Sequence, residues 1–144
     1  MIKFILILLS LCIISSAETE FAEPKPSMDH QREILFSIKS SDNEEINHVL
    51  STANNVLKLY GPENVEMRIV AYYKGIKALL KKNKKIASRV RTLMMYDVEF
   101  VACGNTMRTK HIKKEDLIDG SEVVTAGVVE IIERIKDGWT YVAP

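Results

Sequence analysis

A thiolate is a strong nucleophile at neutral pH, and this chain of 144 residues holds two cysteines, Cys12 and Cys103. Cys12 lies inside an apolar N-terminal run, which leaves Cys103 as the residue whose chemistry matters. It stands in the stretch Phe100 to Thr106, FVACGNT, where an apolar run meets glycine and two small polar residues. That junction reads as the carboxyl end of a buried strand turning into a helix. Gly104 permits a tight turn, and Asn105 or Thr106 can cap the helix that follows, so the sulfur would face unpaired backbone N–H groups. Such groups favour thiolate over thiol, and the thiolate is the form that attacks sulfur or binds metal. Arg108, Lys110 and His111 follow closely and strengthen the effect if they point inward.

A second turn, Thr125-Ala126-Gly127, begins another helical segment and can bring small groups beside Cys103 to complete an anion pocket. Both features have a plainer reading. A free cysteine is often a buried apolar filler, and Gly127 can simply allow close helix–sheet packing. A metal site and a bound cofactor are not expected. His30, His48 and His111 are scattered, no second cysteine forms Cys-x-x-Cys, and neither a Gly-x-Ser-x-Gly elbow nor a Gly-x-Gly-x-x-Gly fingerprint is present.

The N-terminus predicts export. Lys3 gives a positive head, Phe4 to Ile14 is almost wholly apolar, and Ser15, Ser16 and Ala17 are small, which is the pattern of a signal peptide over residues 1–17 cleaved after Ala17. The apolar run falls short of the roughly 20 residues that span a bilayer, so no stable membrane anchor is expected. Lipidation of Cys12 fits poorly, because bulky Leu11 precedes it. The product is expected to be periplasmic or secreted, with one thiol and therefore no internal disulfide. Cleavage removes Lys3 and no acid, leaving nineteen basic and nineteen acidic residues. That balance gives no support for a nucleic-acid partner.

The elements that must position Cys103 can be read from hydrophobic period. Residues 18–32 mix charges and prolines without periodicity and read as a flexible lead-in to one domain at 33–144. Residues 33–38 form a first strand, and Ser41 or Asp42 starts a helix whose Ile46, Val49, Leu50, Ala53, Val56, Leu57 and Tyr60 share one face. Gly61-Pro62 ends it. Residues 65–72 and 98–102 give two further strands, separated by helical patterns over 74–82 and 84–96. Between Lys74 and Arg91 stand eight basic residues and no acid, either a surface for an anionic partner or the solvated side of two helices. Short helical segments around 106–111 and 114–117 precede a fourth strand at 122–125. A last helix carries Val128, Val129, Ile131, Ile132 and Ile135 as its apolar stripe, and residues 139–142 form a fifth strand. Strands alternating with helices predict a three-layer α/β/α domain with a mainly parallel five-stranded sheet.

Taken together, FVACGNT at 100–106, LYGPENV at 59–65, VAYYKG at 70–75 and EVVTAGVVE at 122–130 resemble the DsrE/DsrF-like family, which has the YchN-like fold. The resemblance runs from Glu33 to Pro144. It implies an α/β/α domain assembled as a homo-oligomer, a trimer or hexamer. It also implies that Cys103 corresponds to the cysteine on which sulfur-relay members carry a persulfide, received from a donor protein and passed to an acceptor. Gly104, Asn105, Thr106, Arg108, Thr125 and Gly127 would form the surrounding binding residues. The alternative function is a non-catalytic oligomeric module that binds a small anion, with Cys103 in its cleft wall. The relay members are cytoplasmic and differ around the cysteine, whereas this chain has Gly104-Asn105 after it and an export signal before it.

Overall fold

The computed structural model describes residues 18–144. The signal-peptide reading and Cys12 fall on residues 1–17 and lie outside the described residues. Five strands, β1 (Arg32–Ile38), β2 (Val65–Ala71), β3 (Glu99–Cys103), β4 (Glu122–Val124) and β5 (Thr140–Val142), form one sheet in the order β4-β3-β2-β1-β5. Every pairing is parallel. The sheet is therefore wholly parallel, a sharper result than the mainly parallel one expected.

Among the described residues four α-helices accompany it: α1 (Asn43–Tyr60), α2 (Lys84–Met94), α3 (Gly104–Thr109) and α4 (Gly127–Lys136). Asp42 caps α1 by accepting from the N–H groups of Glu44 and Glu45 at 2.8 and 3.0 Å. Its apolar positions fall every three or four residues, so Ile46, Val49, Leu50, Ala53 and Leu57 are buried together. The chain leaves α1 through Gly61, whose φ of 85° suits glycine. The stretch read as a helix over 74–82 is instead a 3-10 helix, Tyr73–Leu79. The segment passes close to the end of β1, where only glycine fits: a Cβ on Gly75 would lie 1.9 Å from the Ile38 carbonyl oxygen.

The two faces of the sheet differ. α1, α2, α3 and the 3-10 helix bury one face around Phe36, Leu50, Ile69, Ile86 and Phe100. The opposite face has a smaller core of Leu35, Val70, Val101, Ile131 and Trp139, with α4 its helical cover among the described residues. Here the reading of α4 needs correcting. Of its aliphatic residues only Ile131 is buried, while Val128, Val129, Ile132 and Ile135 are 44 to 52% exposed. Gly127, Ile131 and the flanks of Glu130 and Arg134 face the sheet, so the other aliphatic residues point away from it.

Residues 18–31 contain no helix or extended strand yet make definite contacts. Phe21 stacks on Tyr60 with ring centroids 5.1 Å apart, and Arg32 donates to the carbonyls of Ala22 and Pro24 at 2.7 and 2.9 Å. No helix of the described residues is long and apolar enough to cross a membrane.

Candidate functional site

Cys103 is the last residue of β3, pairs with Val124 of β4, and is 6% exposed. Its place follows from the topology. The segment after β3 returns over the face that α1 and α2 cover, as the burial of Met107 in that core shows, whereas α4, after β4, packs on the other. Neighbouring strands whose connections leave to opposite faces open a crevice at their carboxyl ends, and ligands of parallel sheets bind in such crevices. Cys103 sits in that crevice between the starts of α3 and α4.

The loops around it are held close. The Asn105 N–H donates to the Thr125 carbonyl at 3.0 Å, tying the start of α3 to the end of β4. Gly104 serves this approach by its size and not by a sharp turn: a Cβ there would lie 2.9 Å from the Val124 carbonyl oxygen. A Cβ on Gly127 would lie 3.1 Å from both the Cys103 Cβ and Val70. The close-packing and site readings of Gly127 thus describe one arrangement, because the missing Cβ lets the start of α4 reach the sulfur.

The electrostatics follow from those contacts. Burial raises the Cys103 pKa, but hydrogen bonds from the Thr106 hydroxyl and from the backbone N–H groups of Gly127, Thr106 and Asn105 outweigh it, and the thiol ends below its ordinary value. The Thr106 hydroxyl is oriented for this task. Its oxygen accepts from the Tyr73 N–H at 2.9 Å, which leaves its own proton for the sulfur. Tyr73 is held at φ 53°, an uncommon conformation for a side chain of that size.

The crevice is a cavity of about 360 Å³ bounded by Tyr72, Tyr73, Cys103, Thr106, Lys110 and Gly127, among others. The exposed Tyr73 ring lies between two cations, with the Lys74 and Lys110 ammonium groups 5.6 and 5.9 Å from its centroid. Both lysines make the mouth of the cavity positive.

Of the sequence-derived candidates, the structure brings together Cys103, Asn105, Thr106 and Gly127. Gly104 supports them through packing, and its N–H is not among the sulfur's donors. Asn105 and Thr106 do not cap α3 with their side chains; Cys103 is the N-cap residue. Arg108 donates to the Asn105 side chain at 2.8 Å, and Thr125 contributes its carbonyl. Tyr72 and Tyr73 were missed as wall residues. Their signal was available, since they follow β2, the strand adjacent to β3, at the same carboxyl edge.

A larger cavity of about 790 Å³ lies at the ends of β1 and β5, away from Cys103. Polar groups there satisfy one another: Ser37 and Tyr141 share a 2.7 Å hydrogen bond, and Asp42 caps α1. The smaller crevice is the better candidate because it holds Cys103, whose thiol pKa is lowered there. Among the described residues, no group of three or more His, Cys, Asp or Glu side chains is placed to hold a metal ion.

The fold is shared with several solved structures. A protein of unknown function, MTH1491 from Methanobacterium thermoautotrophicum, superposes with a TM-score of 0.74 at 29% identity, over 79% of this chain and all of that one. The ychN protein from E. coli gives 0.70 at 18% identity over the same shares, and BT1422 from Bacteroides thetaiotaomicron gives 0.54 at 13%, over 78% of this chain and 95% of that one. No curated protein matches the chain. The sequence itself matches the DsrE/DsrF-like family over residues 33–144, which spans every strand but the first residue of β1 and includes the whole Cys103 crevice, and the chain belongs to that family.

Proposed function

We propose that this protein carries sulfane sulfur as a persulfide on Cys103. The observation behind the reading is the place of Cys103 in the crevice between the starts of α3 and α4, where the Thr106 hydroxyl and nearby backbone N–H groups lower the thiol pKa despite burial. A thiolate is needed for the first step, and fixed N–H groups favour the anionic terminal sulfur of the product.

The chemistry is an exchange of one sulfur atom. The Cys103 thiolate attacks the terminal sulfur of a donor R–S–SH; a new S–S bond forms, the donor S–S bond breaks, and R–S⁻ leaves. An acceptor thiolate then attacks the outer sulfur of Cys103–S–SH and releases the Cys103 thiolate. Nothing is oxidised or reduced overall, and the proton stays with the transferred sulfur. Cys103 has no second thiol beside it among the described residues, so the acceptor thiol is supplied by a partner protein. Thr106, Gly127 and Asn105 hold the sulfur, while Gly104, Thr125 and Arg108 frame the loops that place them.

The proposal includes export by the N-terminal segment and assembly as a homo-oligomer. The exposed aliphatic side of α4 is the surface best suited to contact another copy, because it offers Val128, Val129, Ile132 and Ile135 in one stripe.

Incubation with polysulfide followed by intact-mass measurement tests the chemistry. One added sulfur, about 32 Da, is expected on the wild type and not on Cys103→Ser. Unmodified wild-type protein whose thiol titrates at or above the ~8.5 of free cysteine would reject the reading in favour of an anion-binding module.

A further inference from the structure

The basic stretch between Lys74 and Arg91 does not end on a featureless solvated face. Its first half borders a groove of about 590 Å³ lined by the half-buried Ile112 and the largely buried Ile76 and Leu80, with Lys74, Lys82 and Lys110 at its rim. These three lysines are exposed and make no ion pair among the described residues, and no carboxylate lines the groove. Other nearby cations are already engaged. Lys77 donates to the Ser41 carbonyl at 2.8 Å, and Lys81 pairs with Asp119 at 2.8 Å.

Continuity with the crevice gives the groove meaning. Lys110 borders both cavities, and Lys74 and Lys110 flank the Tyr73 ring at the mouth over Cys103. A chain lying in the groove would therefore deliver its next residues to the sulfur. The occupant is selected chiefly by charge: the exposed lysines call for carboxylates, and the half-buried Ile112 offers a contact for an apolar side chain beside them. The groove does not suit RNA, because it presents no aromatic surface for base stacking.

We propose that this groove is the docking site for an acidic, leucine-type segment of the partner protein that exchanges sulfur with Cys103. The inference takes the partner's purpose from the sulfur-transfer reading, but docking does not need the chemistry to occur.

Fluorescence anisotropy on full-length Cys103→Ser protein tests docking alone. The probe is a short fluorescein-labelled peptide of alternating Glu and Leu, compared with the same peptide carrying Gln for Glu. At low ionic strength the Glu peptide is expected to bind roughly tenfold more tightly, as charge pairing across a groove provides. That advantage should vanish in about 0.5 M salt, where the Debye length is only a few ångströms. It should also vanish in the double variant Lys74→Glu, Lys82→Glu, and survive in Lys58→Glu at the far end of α1. Equal binding of the two peptides, an unchanged preference in the double variant, or tighter binding of a single-stranded RNA of equal charge would each overturn the proposal. Because this protein lacks the thiol, failure here leaves the mass test of Cys103 persulfidation standing as a separate result.

Discussion

At the scale of single residues, the site turns on how one hydroxyl is oriented. Thr106 accepts from the Tyr73 N–H, linking the two loops, and its hydroxyl is the foremost of the groups that lower the Cys103 thiol against the effect of burial. Thr106→Val keeps the shape but removes the hydroxyl. Its thiol pKa is expected to rise, giving severalfold slower alkylation by iodoacetamide at neutral pH and a reaction profile displaced to higher pH. An unchanged profile would mean that the backbone N–H groups suffice. The same donors link the thiol to stability. Because the folded-state pKa lies below the ordinary value of 9.0, the thiolate's contribution is complete above that value. It is lost as pH falls through the folded pKa. The melting temperature of the wild type relative to Cys103→Ser should therefore increase as pH rises through this window, and a flat difference would contradict the assignment.

At the scale of elements, the important contact is the approach of α4 to the sheet. Gly127 lets the first N–H groups of α4 reach the sulfur, with Val70 and the Cys103 Cβ at 3.1 Å from any added Cβ. Gly127→Ala is expected to cost about 1–3 kcal/mol in denaturant unfolding, the usual range for overpacking. It should also raise the thiol pKa as the helix start moves away. A variant that unfolds at the same denaturant concentration and alkylates at the same rate as the wild type would show that the contact has slack. Further down the same face, α4 is anchored by charge. Arg68 of β2 pairs with Glu99, with Glu122 at 2.6 Å and with Glu130 of α4 at 2.9 Å, and Arg134 adds a second cation beside Glu130. These pairs join β2, β3, β4 and the first turn of α4, so the start of α4 that meets the crevice is also tied to the sheet by charge.

At the scale of the whole molecule, the asymmetry between the two faces dominates. One face has a continuous core beneath several helices, while the other leaves four aliphatic residues of α4 about half exposed. Water contact with a stripe of that kind is unfavourable by about 25 cal/mol per Å², which is a standing drive toward association. Ile132→Lys is expected to lower the mass measured by light scattering from that of an oligomer to that of one chain. Its own melting should change little, because Ile132 contributes little to the monomer core. A wild type that is already monomeric would reject the α4 interface. The basic groove and the apolar stripe use different surfaces, so assembly and partner docking can occur together.

The order of strands and helices, the core face of α1, and the placement of Cys103 at a strand end were all legible in the sequence. Each depends on local period or on a turn residue close by in the chain. The membership of the family was legible too, because the matching stretches keep their order and spacing. What the sequence could not determine lies between segments distant along the chain. Gly127 reaches Cys103 because the connections after β3 and β4 leave to opposite faces, and Tyr73 because β2 lies beside β3 in the sheet. The role of Gly104 is set by a carbonyl twenty residues further on, not by its own torsion angles. The exposure of Ile132 lay beyond the sequence for the same reason: periodicity finds an apolar stripe on a helix, but only the packing of that helix against the sheet decides how much of the stripe is covered. Sequence alone therefore located the thiol and its strand, whereas tertiary structure supplied the surrounding groups that lower its pKa.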